Sequence, residues 1–79
     1  MSPVPRYRQL AAILRKAIEA GEYPPGSRLP SEKTLTQIYG VARETASKAM
    51  DALAADSLAV MVPGVGWHVP PEATGNPDA

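Results

Sequence analysis

The chain has 79 residues, of which 44% are hydrophobic and 20% are charged, and it contains no cysteine. This length suits one small domain, and the lack of cysteine excludes a disulfide framework, a thiolate nucleophile and a cysteine-based zinc site. Eight basic residues balance eight acidic ones. A net charge of zero predicts no general attraction to nucleic acid or to an anionic membrane.

Residues suited to catalysis are few. The chain has one histidine, His68, no serine or threonine in a nucleophile motif, and no glycine-rich phosphate loop. We therefore predict no catalytic residue, no metal site and no cofactor. The longest charge-free apolar run, Leu58 to Val62, is too short to span a membrane, and the N-terminus lacks the apolar stretch of a signal peptide. We expect a cytoplasmic protein with no membrane partner.

Apolar residues at helical spacing predict a first helix that starts near Tyr7. They are Tyr7, Leu10, Ala11, Leu14, Ala17 and Ile18, and they share one face. Gly21 is expected just after the end of the helix, and Pro24-Pro25-Gly26 forbids its continuation.

A second helix is predicted to start after Ser31, a good N-cap residue, with Glu32 in the first turn where the helix dipole favours an anion. Its apolar stripe is expected to comprise Leu35, Ile38 and Tyr39. Gly40 breaks it in a left-handed conformation. A third helix follows and extends to about Ala55; its predicted buried residues are Ala46, Ala49, Met50 and Leu53.

The apolar, partly β-branched run 58–62 predicts a strand. Residues 63–66 predict a turn, and residues 67–69 predict a second strand, which completes a hairpin. We assign residues 6–69 to one domain. Residues 70–79 are rich in Pro, Glu, Gly, Asn and Asp, and we expect a disordered tail there.

The predicted fold is mainly α with a small β-hairpin. Two short helices joined by a tight glycine turn form a helix-turn-helix, whose second helix can enter a DNA major groove. A hairpin directly after that helix forms a wing. The fold class is therefore a winged helix-turn-helix of three helices plus a wing.

The residues that carry a family resemblance are Tyr7-Arg8-Gln9-Leu10, Gly21, Pro25-Gly26, Arg28-Leu29-Pro30-Ser31-Glu32, Gly40-Val41, Arg43, Thr45, Ala49, Leu53, Gly64, Gly66 and Val69. In these residues the chain resembles the winged-helix DNA-binding domain of GntR-type transcription regulators. The resemblance covers about residues 6–69. Its most specific parts are the Leu-Pro-Ser-Glu stretch, the glycine turn and the Arg-x-Thr start of the third helix.

The resemblance implies phosphate contacts by Arg28 and Ser31 near the start of the second helix, and a backbone-facing role for Lys33. It implies that Arg43 contacts a base or a phosphate, and that Thr45 contacts a phosphate or a thymine methyl. The complete set of expected DNA-binding residues is Arg28, Ser31, Lys33, Arg43, Glu44, Thr45, Ser47, Lys48, Gly64, Val65 and Gly66.

The chain departs from the family pattern at five positions. Ala42 stands where the family usually has serine or threonine, so the third helix is expected to lack a side-chain N-cap. Ser47 replaces a second arginine, Val65 replaces an arginine between the wing glycines, and Trp67 and His68 replace threonine and phenylalanine. Each change removes charge or a donor from the expected DNA face, and that face, residues 43–51, has no net charge.

Several of these residues also have a structural interpretation. Arg43 could be a solvated surface residue paired with Glu32 or Glu44, and Glu32 could cap a helix or hold Arg43 in position. Trp67, Tyr7, Tyr39 and Met50 are most simply core residues. His68, a lone histidine, gives no case for a metal.

The leading hypothesis is a sequence-specific transcription regulator that binds double-stranded DNA, with a second copy on a palindromic site and no RNA partner. The alternative is a winged-helix protein-interaction module with reduced or no DNA binding, in which Val65, Trp67 and Met61 form an apolar wing patch. Whether the chain is a fragment or a stand-alone regulator stays open, and its polar end favours the second. Glu72 and Asp78 lie in the tail, so residues 1–69 carry a net charge of +2. We therefore expect DNA binding with few phosphate contacts.

Overall fold

The structure, a computed structural model, describes residues 4–71. Three helices come first: α1 (Arg6–Glu19), α2 (Glu32–Tyr39) and α3 (Arg43–Ala55). Two antiparallel strands follow, β1 (Val60–Val62) and β2 (Gly66–His68). This order confirms the predicted helical fold with a hairpin. Residues 72–79, most of the predicted disordered tail, lie outside the described residues. Within residues 4–71, no helix has both the length and the apolar character needed to cross a membrane.

Helix α1 ends in the way that the sequence predicts. Gly21 has a φ of 88°, and its N–H donates to the carbonyl of Ile18 at 3.1 Å, while the N–H of Glu22 donates to the carbonyl of Ala17 at 2.9 Å. These two bonds form a Schellman motif, in which a left-handed residue lets the chain satisfy the last carbonyls of the helix. Gly21 therefore terminates α1 at little conformational cost.

The core lies where α1 and α2 pack on α3. All the residues of α3 that were predicted to be buried are fully inaccessible: Ala46, Ala49, Met50 and Leu53. Helix α1 contributes Leu10, Ala11, Leu14 and Ile18, and Leu58, Ala59, Trp67 and Val69 close the core from the hairpin side. The buried face of α3 thus makes it the central element of the domain.

The predicted apolar stripe of α2 is wrong at two positions. Leu35 is fully buried, but Ile38 is 61% exposed and Tyr39 is 39% exposed. Tyr39 lines a surface groove with Ile13 and Val41 instead of entering the core. The physical reason is that α2 packs against α3, and among residues 4–71 nothing covers the side of α2 that carries Ile38.

The first strand is shorter than the predicted 58–62, and the second, Gly66–His68, is displaced by one residue from the predicted 67–69. Val60 pairs with His68 and Val62 pairs with Gly66. Leu58 and Ala59, predicted to belong to the first strand, are buried ahead of the ladder. They belong to the connection between α3 and the hairpin, where core packing rather than strand pairing fixes them.

Strand β2 is also paired on its second side, which the sequence did not predict. The N–H of Leu29 donates to the carbonyl of Trp67 at 2.9 Å, and the N–H of Val69 donates to the carbonyl of Ser27 at 2.8 Å. Residues 27–29 are too few to show the alternation that marks a strand. These bonds join the wing to the segment that leads into α2.

Candidate nucleic-acid interface

The start of α2 forms one side of the candidate interface. Ser31 is its N-cap, as predicted: its Oγ accepts the N–H of Thr34 at 3.1 Å and donates to Thr34 Oγ1 at 2.9 Å. Lys33 is exposed in the same turn. Because the first N–H groups of a helix have no partner within the helix, this end favours an anion.

The start of α3 forms the centre of the interface and presents Arg43 to solvent. The Arg43 side chain is 79% exposed, and its Nε lies 4.0 Å from Oε1 of Glu32. The structure thus shows the pairing with Glu32 that the sequence left open. Ala42 occupies the N-cap position with no side-chain hydrogen bond, as expected from its methyl side chain.

The outer face of α3 is electrically balanced. Lys48 Nζ lies 3.8 Å from Glu44 Oε2, one helical turn away, and both side chains are largely exposed. An exposed pair of this kind contributes at most about 1 kcal/mol to stability, so Lys48 is free to exchange Glu44 for another anion. Thr45 and Ser47, also predicted to contact DNA, are half-buried on α3.

The wing tip is a tight turn. The N–H of Val65 donates to the carbonyl of Val62 at 3.0 Å, and Gly64 has a φ of 79°. A proline followed by a left-handed glycine is the signature of a type II turn, here Pro63-Gly64. Val65 is 45% exposed at this tip.

Arg28 lies at the base of the wing rather than on a helix. It forms an isolated antiparallel bridge with His68. A Cβ on Gly66, whose φ is 119°, would lie 3.6 Å from Arg28 Nη2 and 3.8 Å from Arg28 Nε. Gly66 therefore lets the wing adopt this backbone conformation while the Arg28 guanidinium lies alongside it.

A shallow cleft of about 240 Å³ connects the two helix starts to the wing. Its lining residues are Ser31, Glu32, Lys33, Arg43, Met61, Gly66 and Trp67. It brings together four of the predicted DNA-binding residues. The other predicted residues, Arg28, Glu44, Thr45, Ser47, Lys48, Gly64 and Val65, do not line it.

Glu32 and Trp67 are absent from the predicted site although they lie in the cleft. The Trp67 indole Nε1–H donates to Glu32 Oε2 at 3.4 Å, and the Glu32 side chain is 23% exposed. Trp67 is 9% exposed, which confirms its predicted packing role, but the predicted wing patch is wrong to include it. The exposed apolar residues of the wing are Val60, Met61, Val62 and Val65. The sequence offers Glu32 as a helix cap or as a partner of Arg43, but its contact with Trp67 spans 35 residues and leaves no local pattern.

The charges of the described residues favour an anionic partner slightly. Residues 4–71 contain eight basic and six acidic side chains. Within this described part, Arg28 and Lys33 make no ion pair, whereas Arg43 and Lys48 do. The interface therefore offers a few cations rather than a continuous basic surface.

A larger groove, of about 410 Å³, lies between α1 and α3. Its charged lining includes Arg15 and Asp56, which pair with each other across the groove. In the part of the chain that the structure describes, no three His, Cys, Asp or Glu side chains are grouped to hold a metal ion. The wing-side cleft differs from this groove in that it contains four of the predicted DNA-binding residues.

Comparison with known proteins places this geometry in a family. The profile of "Bacterial regulatory proteins, gntR family" matches residues 6–69. The chain belongs to the GntR family. This GntR-family chain is similar to a crystal structure of AraR(DBD) in complex with operator ORR3, with 31% identity and a TM-score of 0.79 over 87% of this chain and 90% of that one. The match confirms the winged-helix fold.

Two curated relatives of this GntR-family chain are named as regulators. The histidine utilization repressor of Pseudomonas putida is 37% identical over 67 residues, which are 85% of this chain and 27% of the repressor. The HTH-type transcriptional regulator YdfD of Bacillus subtilis (strain 168) is 38% identical over 69 residues, 87% of this chain and 14% of YdfD. The chain thus spans well under a third of the length of either relative.

Proposed function

We propose that this GntR-family chain binds double-stranded DNA at specific sequences and regulates transcription, with α3 in the major groove and the wing beside it. One observation carries the proposal: Arg43 stands exposed at the first residue of α3, in the same cleft as Ser31 and Lys33 of α2 and Gly66 of the wing. In helix-turn-helix proteins the N-terminal residues of the second helix contact base edges. The similarity to AraR(DBD), whose structure contains an operator, supports this role, as do relatives that are named as repressors and regulators.

The roles proposed for individual residues are those that the family resemblance implies, and the exposure and position of these residues support them. Arg43 donates to a guanine edge or a phosphate, Lys33 contacts a phosphate at the cleft, and Arg28 contacts one at the base of the wing. Thr45, Ser47, Glu44 and Lys48 lie on α3 along the groove. Ser31 lies where the α2 amide groups favour a phosphate, and the wing tip of residues 64–66 approaches the neighbouring groove. This role is regulatory rather than enzymatic and belongs to the cytoplasm, at the nucleoid.

The proposal includes a second copy on a palindromic site. One domain offers only a few cations, and each neutralised phosphate contributes about −0.9 to the slope of log K against log salt. With Arg28, Lys33 and Arg43 engaged, we expect a slope of about −3 for each bound domain. A single domain with so few contacts binds weakly. Two copies on adjacent half-sites raise the affinity when they are linked or contact each other, because the second binding event is then effectively intramolecular.

Selection of bound duplexes from a random DNA pool tests the proposal. The wild-type chain is expected to enrich a short motif, with half-sites in inverted order. Arg43→Ala is expected to weaken binding to that motif by about 1–3 kcal/mol, the usual contribution of a bidentate base contact. Lys16→Ala removes the same charge from the exposed surface of α1 and serves as the matched control. Enrichment of no duplex, or equal losses for the two variants, would refute the proposal.

A protein-interaction role is the second candidate, favoured by the exposure of the wing strand. Val60, Met61 and Val62 are 41%, 48% and 37% exposed, and Val65 is 45% exposed. Sedimentation velocity of the wild type and of Met61→Glu over a concentration series tests this candidate. Concentration-dependent association that Met61→Glu abolishes would support it, and a monomer at every concentration would exclude self-association through the wing.

A further inference from the structure

One carboxylate connects the wing to the start of α3. Oε2 of Glu32 accepts the indole N–H of Trp67 at 3.4 Å, and Oε1 of the same group lies 4.0 Å from Nε of Arg43. Trp67 belongs to β2, and its ring is held in the core. Among the residues that line the cleft, Glu32 is the one acidic side chain. Its negative charge therefore shares the cleft with Lys33 and Arg43 and pairs with Arg43.

We propose that Trp67 is a positioning residue for DNA recognition: its indole N–H orients the Glu32 carboxylate, which in turn orients Arg43. The proposal rests on the DNA-binding function argued above. It makes the wing a determinant of which base pair Arg43 selects, although Trp67 itself need not touch DNA.

The chemistry of the three groups supports this role. An indole N–H is a donor only, so it cannot compete with the carboxylate for Arg43. The carboxyl torsion of glutamate is broad and weakly restricted, and a fixed donor at one oxygen aims the other. Arg43, 79% exposed, has several free torsions that are costly to order on binding. An anchored carboxylate reduces that cost and keeps the negative charge of Glu32 turned towards Arg43 rather than towards a phosphate.

The two distances set the size of the effect. An N–H···O contact of 3.4 Å is longer than the usual 2.9–3.0 Å, and the ion pair lies at the limit of direct contact. We therefore expect Trp67 to change discrimination between DNA sequences by about threefold to tenfold rather than by hundreds. The loss of Arg43 itself should have the larger effect.

The experiment measures a ratio of affinities. The Kd for the selected duplex and for a scrambled duplex is determined for the wild type, Trp67→Phe, Glu32→Gln and the double variant. Trp67→Phe removes the N–H and keeps an aromatic ring; Tyr39→Phe, which removes a polar group from an aromatic residue outside the cleft, is the matched control. We expect the ratio to fall about threefold to tenfold in both single variants, with no further fall in the double variant.

The two variants are expected to differ towards scrambled DNA. Glu32→Gln should bind the scrambled duplex more tightly, because it removes a negative charge from the cleft, whereas Trp67→Phe should not. Tyr39→Phe should leave both Kd values unchanged.

A second readout needs no DNA. The chain has one tryptophan, so a ¹⁵N spectrum contains one indole N–H resonance. This resonance is expected to shift in Glu32→Gln, and the Nε–H resonance of Arg43 is expected to shift in Trp67→Phe. A residue that only fills the core would not move Arg43. Should Trp67→Phe fail to fold, Glu32→Gln still reports the contact through the indole resonance and through the affinity ratio.

The outcomes separate the two proposals. If the wild type enriches no duplex, the DNA-binding function fails, and the positioning role fails with it. If the wild type enriches a site but Glu32→Gln leaves the ratio and the indole resonance unchanged, the positioning role alone is overturned. An additive fall in the double variant would also overturn it, because independent effects add whereas residues that act through one another do not.

Discussion

The two helices of the helix-turn-helix are held in place by different means. Helix α2 is short and buries one residue, Leu35, but both of its ends are secured: Ser31 caps its start, and Gly40, with a φ of 64°, ends it. Helix α3 has no side-chain cap at Ala42 and is secured by its buried face of four residues. No side chain caps the backbone N–H groups at the start of α3. Of these two helices, the one assigned to the DNA major groove is therefore the one whose first N–H groups lack a side-chain partner.

Truncation of the buried face of α3 should have the largest effect. Leu53 is fully buried, and Leu53→Ala removes buried volume and leaves a cavity, which costs about 3 kcal/mol. Since a domain of this size has roughly 3–5 kcal/mol of stability, the variant should retain no more than about 2 kcal/mol, and its unfolding midpoint should move to a much lower urea concentration. Urea denaturation followed by circular dichroism measures this.

Ile38→Ala, at an exposed apolar site of α2, is the control for Leu53→Ala. It should change the free energy of unfolding by no more than about 0.5 kcal/mol. Equal losses for the two variants would mean that Ile38 is buried in solution, and the contrast between the two helices would disappear.

Removal of the α2 cap should have the next largest effect. Ser31→Ala deletes the acceptor of the Thr34 N–H and should lower the free energy of unfolding by about 1 kcal/mol. Ser31→Asp keeps a capping oxygen and should retain near wild-type stability while weakening DNA binding, since it places a carboxylate beside the phosphates. Loss of both stability and DNA binding in Ser31→Asp would show that the serine hydroxyl has a role other than capping.

A cap added to α3 should work in the opposite direction. Ala42→Ser places a hydroxyl at the N-cap, where backbone angles of −68° and 154° already suit a capping residue, and should raise the free energy of unfolding by about 0.5–1 kcal/mol. Ala54→Ser, an exposed substitution in the same helix, should bring no gain because serine is a weaker helix former than alanine. Thermal denaturation of both variants measures the difference. A gain in Ala54→Ser as large as in Ala42→Ser would rule out capping as the cause.

The sequence predicts the long helices well and the short one less well. Over the 13 residues of α3, the helical period identifies every buried position. In the eight residues of α2, the same period proposes three buried positions, and the packing partner uses one. A short helix shows a periodic pattern whether or not a second surface covers it, so Ile38 and Tyr39 could not be placed from the sequence.

The contacts of the interface show the same limit of prediction from the sequence. Ser31 at the helix start and Gly64 in the turn could be predicted because capping and turn formation are local. The approach of Trp67 to Glu32, and of Arg28 to Gly66, joins residues that are more than 30 positions apart. Those contacts exist because residues 27–29 pair with β2, and three paired residues are too few to leave a pattern in the sequence.

The smallest predicted effect concerns the other end of α3. The chain leaves α3 through a Schellman motif like that of α1: the N–H of Ser57 donates to the carbonyl of Ala54 at 3.0 Å, and that of Leu58 donates to the carbonyl of Leu53 at 2.8 Å. In α1 the left-handed residue is Gly21, whereas here it is Ser57, with a φ of 60°. A side chain in that conformation costs roughly 1–2 kcal/mol. Glycine removes this cost, but its greater freedom in the unfolded chain offsets part of the gain in stability. Ser57→Gly should therefore stabilise the fold by about 0.5 kcal/mol.

Ser47→Gly, the same chemical change inside α3, should destabilise the fold by about 0.5–1 kcal/mol. Urea denaturation of the pair gives the test, and changes of the same sign would show that the strain at Ser57 is not what limits this end of α3.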